Sequence, residues 1–218
     1  YLKNLYSEYN WNIKVIPNSV DFTQWDSLKN NTKKSYINIG WEGGSGHDRD
    51  LKIIVPVIKE LLQKYKNVRF TLVGAPEAAA KDLGAHPQIK CKPGWVAPED
   101  YPKFKAKLGF DIELAPLVDS NFNRAKSNLR WLEASALKIP VVASNVGPYK
   151  KTNALTCSTT EAWVTALGML IKSSSRRQEL GNTGYNLVKK DYNLVDIAKQ
   201  YAQILTEVHE GWQRGLKK

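Results

Sequence analysis

The sequence is poor in sulfur, with two cysteines and one methionine among 218 residues. Cys91 and Cys157 are too few for a disulfide framework and fit no metal-ligand spacing, so both read as buried strand residues. No apolar run approaches the roughly 18 residues that span a bilayer. The opening YLKNLYSEYN lacks the pattern of a signal peptide, and a reducing cytoplasm is the expected setting. Acidic residues are also scarce. Only 21 stand against 32 basic ones, a net charge of +11 that suits an anionic partner.

The way the charge is spread argues against nucleic acid. The densest clusters, Lys33-Lys34, Lys189-Lys190 and Lys217-Lys218, are pairs, and no nucleic-acid motif accompanies them. Most of the seven tryptophans and ten tyrosines fall at positions that read as core or helix faces. Two nucleotide motifs are missing as well. No GxxxxGK followed by Ser or Thr occurs, which excludes a P-loop kinase. The segment from Gly40 to Arg49 does not space three glycines as a dehydrogenase turn would, and Val73-Gly74-Ala75 ends a strand without an acid for a ribose.

What is present is an alternation of strands and helices. Tyr36–Trp41, Val68–Gly74, Ile89–Lys92, Phe110–Pro116, Val141–Ser144 and Leu155–Cys157 read as strands. Leu51–Tyr65 (with Pro56 in its first turn or kinking it), Pro98–Lys107, Lys126–Lys138, Thr160–Lys172, Arg176–Lys189 and Val195–Arg214 read as helices. This order predicts βαβ units and a Rossmann-like parallel sheet flanked by helices, of α/β class. Ligands in such sheets bind at the carboxyl ends of strands. That rim gathers Glu42–Asp50, Gly74–Glu77, Gly94–Ala97 and Leu117–Ser127.

The most telling stretch is FNRAKSNLRWLEASALKIPVVASNVGPY, from Phe122 to Tyr149. A helix start holding Lys126, Ser127 and Asn128 offers free N–H groups, a positive dipole end and a cation, which suit a diphosphate. Glu133 lies seven residues, nearly two turns, beyond Lys126 and so on the same side of the helix. A carboxylate there can accept hydrogen bonds from ribose hydroxyls. His47 and Arg49 in the first turn could face the diphosphate, although capping or simple exposure explains His47 equally well. Asp48 and Asp50 read as capping and dipole partners of the helix they open, not as metal ligands; no metal site is expected.

Taken in order, VIPNSVD (Val15–Asp21), YINIGWEGGSGHDRDL, VRFTLVG and the stretch from APL to Tyr149 resemble the C-terminal half of a GT-B glycosyltransferase, most like family 4. The resemblance runs from about Val15 to the last helix. It implies a single domain over residues 1–218 that binds a nucleotide-sugar donor such as a UDP- or GDP-sugar. Residues 1–35 would form its start and interdomain connection. Helix residues 193–218 would pack on an N-terminal acceptor domain that the chain does not contain.

On the same resemblance, Glu133 matches the second glutamate of an E-x7-E motif and would bind the ribose. Lys126, Ser127 and Asn128 would contact donor phosphates and sugar. Ser45, His47 and Arg49 would face the diphosphate, and Trp95 and Val96 would pack on and hydrogen-bond the base. The first glutamate of the motif falls at Ala125, so its sugar contact would be missing or made by Asp119, Asn121 or Asn123. The implied chemistry is sugar transfer without a metal or other cofactor, with retention at the anomeric carbon. Lys126 and Arg49, helped by Arg124 or His47, would stabilise the leaving diphosphate. A peripheral membrane or a glycan would supply the acceptor. The isolated domain would be inactive. The departure at Ala125 keeps a non-catalytic nucleotide-binding module as the alternative.

Overall fold

The computed structural model describes residues 1–28 and 34–216. Lys33 and the pair Lys217-Lys218 lie outside the described residues. Six strands form one parallel sheet: β1 Ile37–Glu42, β2 Val68–Val73, β3 Ile89–Lys92, β4 Ile112–Ala115, β5 Val141–Ser144 and β6 Leu155–Cys157. Their spatial order is β3-β2-β1-β4-β5-β6. The order reverses between β1 and β4, where a doubly wound sheet opens a crevice for a ligand. Register is fixed by pairs such as Trp41 with Leu72 and Leu114 with Val142.

The helices are α1 Leu2–Tyr6, α2 Phe22–Trp25, α3 Asp48–Lys52, α4 Val55–Lys64, α5 Glu77–Leu83 and α6 Tyr101–Leu108. After β4 come α7 Asn121–Arg124, α8 Leu129–Ala136, α9 Thr160–Lys172, α10 Ser174–Asp191 and α11 Leu194–Leu216. Side-chain caps explain several starts. Ser120, Thr159 and Ser173 accept from backbone amides in the first turns of α7, α9 and α10.

The alternating strands sort their side chains onto two faces. Ile39, Trp41, Phe70, Leu72, Ile112, Leu114 and Val142 pack under α3, α4, α5 and α9 in an apolar core. Val73, Ala115, Val141 and Ala143 face α2, α6, α8 and α10. This second face also carries buried Asn38, Glu42, Thr71 and Glu113.

The structure corrects several expectations. The helix expected over Leu51–Tyr65 is split into α3 and α4, with Pro56 in the first turn of α4, where its missing N–H costs no bond. The Ala-rich connection after β2 is the helix α5. The helix expected from Lys126 begins only at Leu129, after the short α7 and a loop. Cys157 is a buried strand residue as expected, but Cys91 is exposed on β3, the edge strand of the sheet among the described residues.

Candidate functional site

A cavity of about 640 Å³ opens at the carboxyl ends of the strands beside the β1–β4 reversal. Its backbone wall is glycine: Gly43 and Gly44 after β1, Gly74 after β2 and Gly94 after β3. Gly74 has a φ of 65°, and a Cβ there would lie 2.1 Å from the Gly43 carbonyl oxygen. A Cβ on Gly94 would meet Gly74 at 2.7 Å. Only glycine lets three loops close backbone against backbone, which leaves a side-chain-free wall for a ligand.

Charged groups line the rest. Lys126 and Ser127 come from the loop before α8, Arg130 and Glu133 from α8 itself, Glu42 from the end of β1 and His47 from the turn after it. Trp95 adds an aromatic ring that is 87% exposed. The cavity thus joins cations, carboxylates and an open ring within reach of one molecule.

Asp50 ties two rim loops together. Its carboxylate accepts from the Val118 amide at 2.7 Å and from Asn123 Nδ2 at 2.8 Å. It also meets His47 Nδ1 at 2.8 Å and stands 3.7 Å from Lys126 Nζ. Burial alone would push this carboxyl up. The bonds from His47 and Val118, with the Lys126 charge, more than offset that and hold it below the ordinary range. Capping therefore does not describe Asp50, whereas half-buried Asp48 pairs with Lys52 at 2.9 Å one turn on.

Beneath the cavity lies a buried charge cluster. Lys105, on α6, has no solvent-accessible surface and hydrogen-bonds Glu42 Oε1 and, at 2.9 Å, Glu113 Oε1. Glu133 Oε2 is 3.7 Å from the same ammonium. The Tyr101 hydroxyl touches Glu42 Oε1 at 2.6 Å and Glu133 Oε2 at 2.8 Å. Arg130 sits 5.3 Å from the Trp41 ring centroid. Burial drives Glu113 up to about 7 and also raises Glu133, while for Glu42 the Lys105 charge overcomes burial and lowers it.

The expected site residues divide into two groups. Lys126, Ser127, His47, Glu133 and Trp95 converge on the cavity. Arg49 is exposed, Val96 and Asn128 are half-buried, and none of the three lines it. Asn123 is buried and spends its amide on Asp50 and the Val118 carbonyl, both at 2.8 Å. The Ser45 side chain lies outside the described part of the structure. Ser127 Oγ accepts from Asn18 Nδ2 at 2.8 Å, which ties the opening segment to the rim.

Sequence reasoning missed Tyr101, Lys105, Arg130, Glu42 and Glu113. A signal existed for the acids: Glu113 interrupts an otherwise apolar buried strand, and a charge there demands a partner. Among the described residues no group of three or more His, Cys, Asp or Glu side chains is placed to hold a metal ion.

A family model described as glycosyl transferase-like matches residues 51–203, most of the chain, and includes the rim loops after β2, β3 and β4 but not the loop after β1. The chain belongs to the glycosyl transferase-like family. No curated protein matches it. Solved structures show the same fold in this family's company. The C-terminal domain of a group 1 family glycosyl transferase (LpcC) from Francisella tularensis aligns at 21% identity and a TM-score of 0.54. The alignment covers 82% of this chain and 95% of that one.

Sucrose-phosphate synthase from Thermosynechococcus elongatus gives a TM-score of 0.72 at 15% identity, over 96% of this chain and 57% of its own length. S. aureus TarM, solved with UDP, Fondaparinux and alpha-GlcNAc-glycerol, gives 0.61 at 14%, over 88% of this chain and 38% of its own. This glycosyl transferase-like chain therefore spans little more than half of one of these enzymes and less than half of the other.

Proposed function

We propose that this chain is the donor-binding region of a glycosyltransferase, and that the cavity at the β1–β4 reversal holds a nucleoside diphosphate sugar. One observation carries the reading: Lys126, Arg130 and His47 share a glycine-walled cavity with Glu133 and Trp95. Breaking the anomeric bond builds negative charge on the leaving diphosphate. Fixed cations and backbone amides stabilise that charge most strongly in a partly desolvated site. Lys126 and Arg130 supply it here, Glu133 takes ribose hydroxyls, and Trp95 offers its face to the base. On this reading the cations do the work of a metal, and the sugar is transferred with retention, as the resemblance to family 4 implies.

Helix α11 fits the rest of the proposal. Leu194, Tyr201, Leu205, Val208 and Trp212 fall at helical spacing, and all are at least 42% exposed. That stripe would pack on an acceptor domain carried by a longer protein, one working at a glycan or a membrane surface in the cytoplasm.

A thermal-shift panel of UDP, GDP, ADP and their sugar conjugates, with magnesium and with chelator, tests the proposal. A ligand at about 100 times its dissociation constant adds roughly 2.7 kcal/mol, or about 5–10 °C in midpoint. One nucleotide should shift the curve with or without metal, and Lys126→Ala and Glu133→Ala should each abolish the shift. Full retention of the shift in both variants would reject the site. Ala125, standing where the first motif glutamate is expected, favours a second reading: a nucleotide-binding module without catalysis. Sugar transfer by the protein together with its acceptor domain would rule that out.

A further inference from the structure

Tyr101 sits where one hydroxyl meets two carboxyl groups, Glu42 Oε1 at 2.6 Å and Glu133 Oε2 at 2.8 Å. A phenol has one proton to donate, and ionised carboxylates only accept. The two contacts therefore need two protons, and the second must sit on a carboxyl. Glu42 has the stronger reason to stay ionised, because Lys105 hydrogen-bonds it directly, whereas Glu133 is 3.7 Å from that ammonium.

Charge balance agrees. Glu42 from β1, Glu113 from β4 and Glu133 from α8 face two cations, Lys105 from α6 and Arg130 from α8. Tyr149, after β5, is the remaining titratable group against Arg130. One extra proton makes the cluster neutral, which burial strongly favours. Neutrality alone would be met by a proton on Glu113 as well, and it is the Tyr101 bridge, which Glu113 does not join, that places a proton on Glu133.

Building on the donor-site reading, we propose that Tyr101 is a positioning residue for Glu133. In the empty cavity a protonated Glu133 donates to the Tyr101 oxygen while Tyr101 donates to Glu42. When a vicinal diol enters, its two hydroxyls donate to Glu133 as a carboxylate, and the displaced proton goes to solvent. Hydrogen bonds to the charged form favour that form, so binding lowers the affinity of Glu133 for its proton. Burial already holds the Glu133 carboxyl above the ordinary range in the empty site. His47 and Lys126 line the same cavity and are basic groups that face Glu133 across it.

The test is calorimetry near neutral pH with UDP-glucose, GDP-mannose and ADP-glucose, whose diphosphates do not titrate there. Two buffers of different ionisation heat give the proton count. The parent should release up to about one proton per ligand, and Glu133→Gln none. Glu113→Gln should keep the release and only move the pH at which it occurs.

Tyr101→Phe should weaken the bound nucleotide sugar about tenfold but leave its 2′,3′-dideoxy counterpart unchanged; a merely structural role would weaken both. Equal proton release by the parent and Glu133→Gln, or equal loss for both ligands, overturns the proposal. Carbon-13 NMR of the side-chain carboxyls in the empty protein judges the bridge alone. Glu133 should titrate above the usual carboxylate range, and an ordinary titration overturns it. Binding of none of the probes would reject the donor reading and the linkage with it, while that titration still decides the shared proton.

Discussion

The two faces of the sheet solve the same packing problem with different chemistry. Under α4 and α9, Ile39, Phe70, Leu72 and Leu114 pack together in one apolar cluster. Under α6 and α8, the same strands present Asn38, Glu42, Thr71 and Glu113, and each is answered: Thr71 donates to Asn38, Asn38 donates to the Leu108 and Gly109 carbonyls, and Lys105 and Tyr101 donate to the acids. An apolar face costs nothing electrostatically. A buried cluster costs desolvation that its internal pairing roughly returns, so its presence beside the cavity points to use and not to stability.

That contrast is broken most forcefully by comparing Phe70→Ala with Lys105→Met. Emptying the Phe70 site should cost about 3–5 kcal/mol through lost burial and a cavity. Removing Lys105 should cost about 3–5 kcal/mol as well, because it strands buried carboxylates without their cation. The two losses differ in their response to pH. Chemical denaturation at pH 5 and pH 8 should show the Lys105→Met deficit shrinking at the lower pH, as the carboxyls take up protons, while the Phe70→Ala deficit stays constant. Equal behaviour would mean that the second face is held by packing alone.

Glu113→Gln sharpens the same point. Burial raises its folded carboxyl to about 7 from the ordinary 4.5. Between those values the folded state holds a proton that the unfolded chain has released, so stability falls as pH rises through the window. The fall due to this group is on the order of 3 kcal/mol. Replacing it with glutamine should reduce the slope between pH 4.5 and 7, as read from denaturation midpoints across the range, and leave the part that belongs to Glu133. An unchanged slope would locate the titration elsewhere.

Asp50 joins the rim rather than the core, and a smaller effect is expected there. Asp50→Ala leaves the Val118 amide and one of the two Asn123 side-chain N–H groups without an acceptor, at a cost of about 1–3 kcal/mol. Because the Asp50 carboxyl is held low, its contribution is complete above the unfolded value and is lost as pH falls through the folded one. The Asp50→Ala deficit should therefore shrink on acidification, the same direction as for Lys105→Met but from a different group.

The strands were legible because alternation and β-branched runs report burial directly, and all six appear where the sequence places them. The convergence of Lys126, His47 and Glu133 was legible too, since the carboxyl ends of parallel strands share one rim. Helix starts were less so. Lys126-Ser127-Asn128 reads as the first turn of a helix, but the capped turn at Ser120 takes that role and leaves Lys126 on a loop. Lys105 was invisible for a different reason. In YPKFKAKL three lysines alternate with apolar residues, and nothing local tells the buried lysine from the exposed ones; only Glu42 and Glu113, distant in sequence, select it.

Trp95 offers the finest cut between floor and rim. At 87% exposure it contributes little to the core, so Trp95→Ala should change stability by no more than about 0.5 kcal/mol. A base stacked on its ring would contribute about 1–3 kcal/mol, so the same substitution should weaken a bound nucleotide by roughly 5- to 150-fold. Denaturation and nucleotide titration on one preparation measure both. Unchanged affinity would move the base off Trp95 and leave the glycine wall as its support. A large loss of stability would mean that the ring packs in the protein and that the rim is not the separable surface its exposure describes.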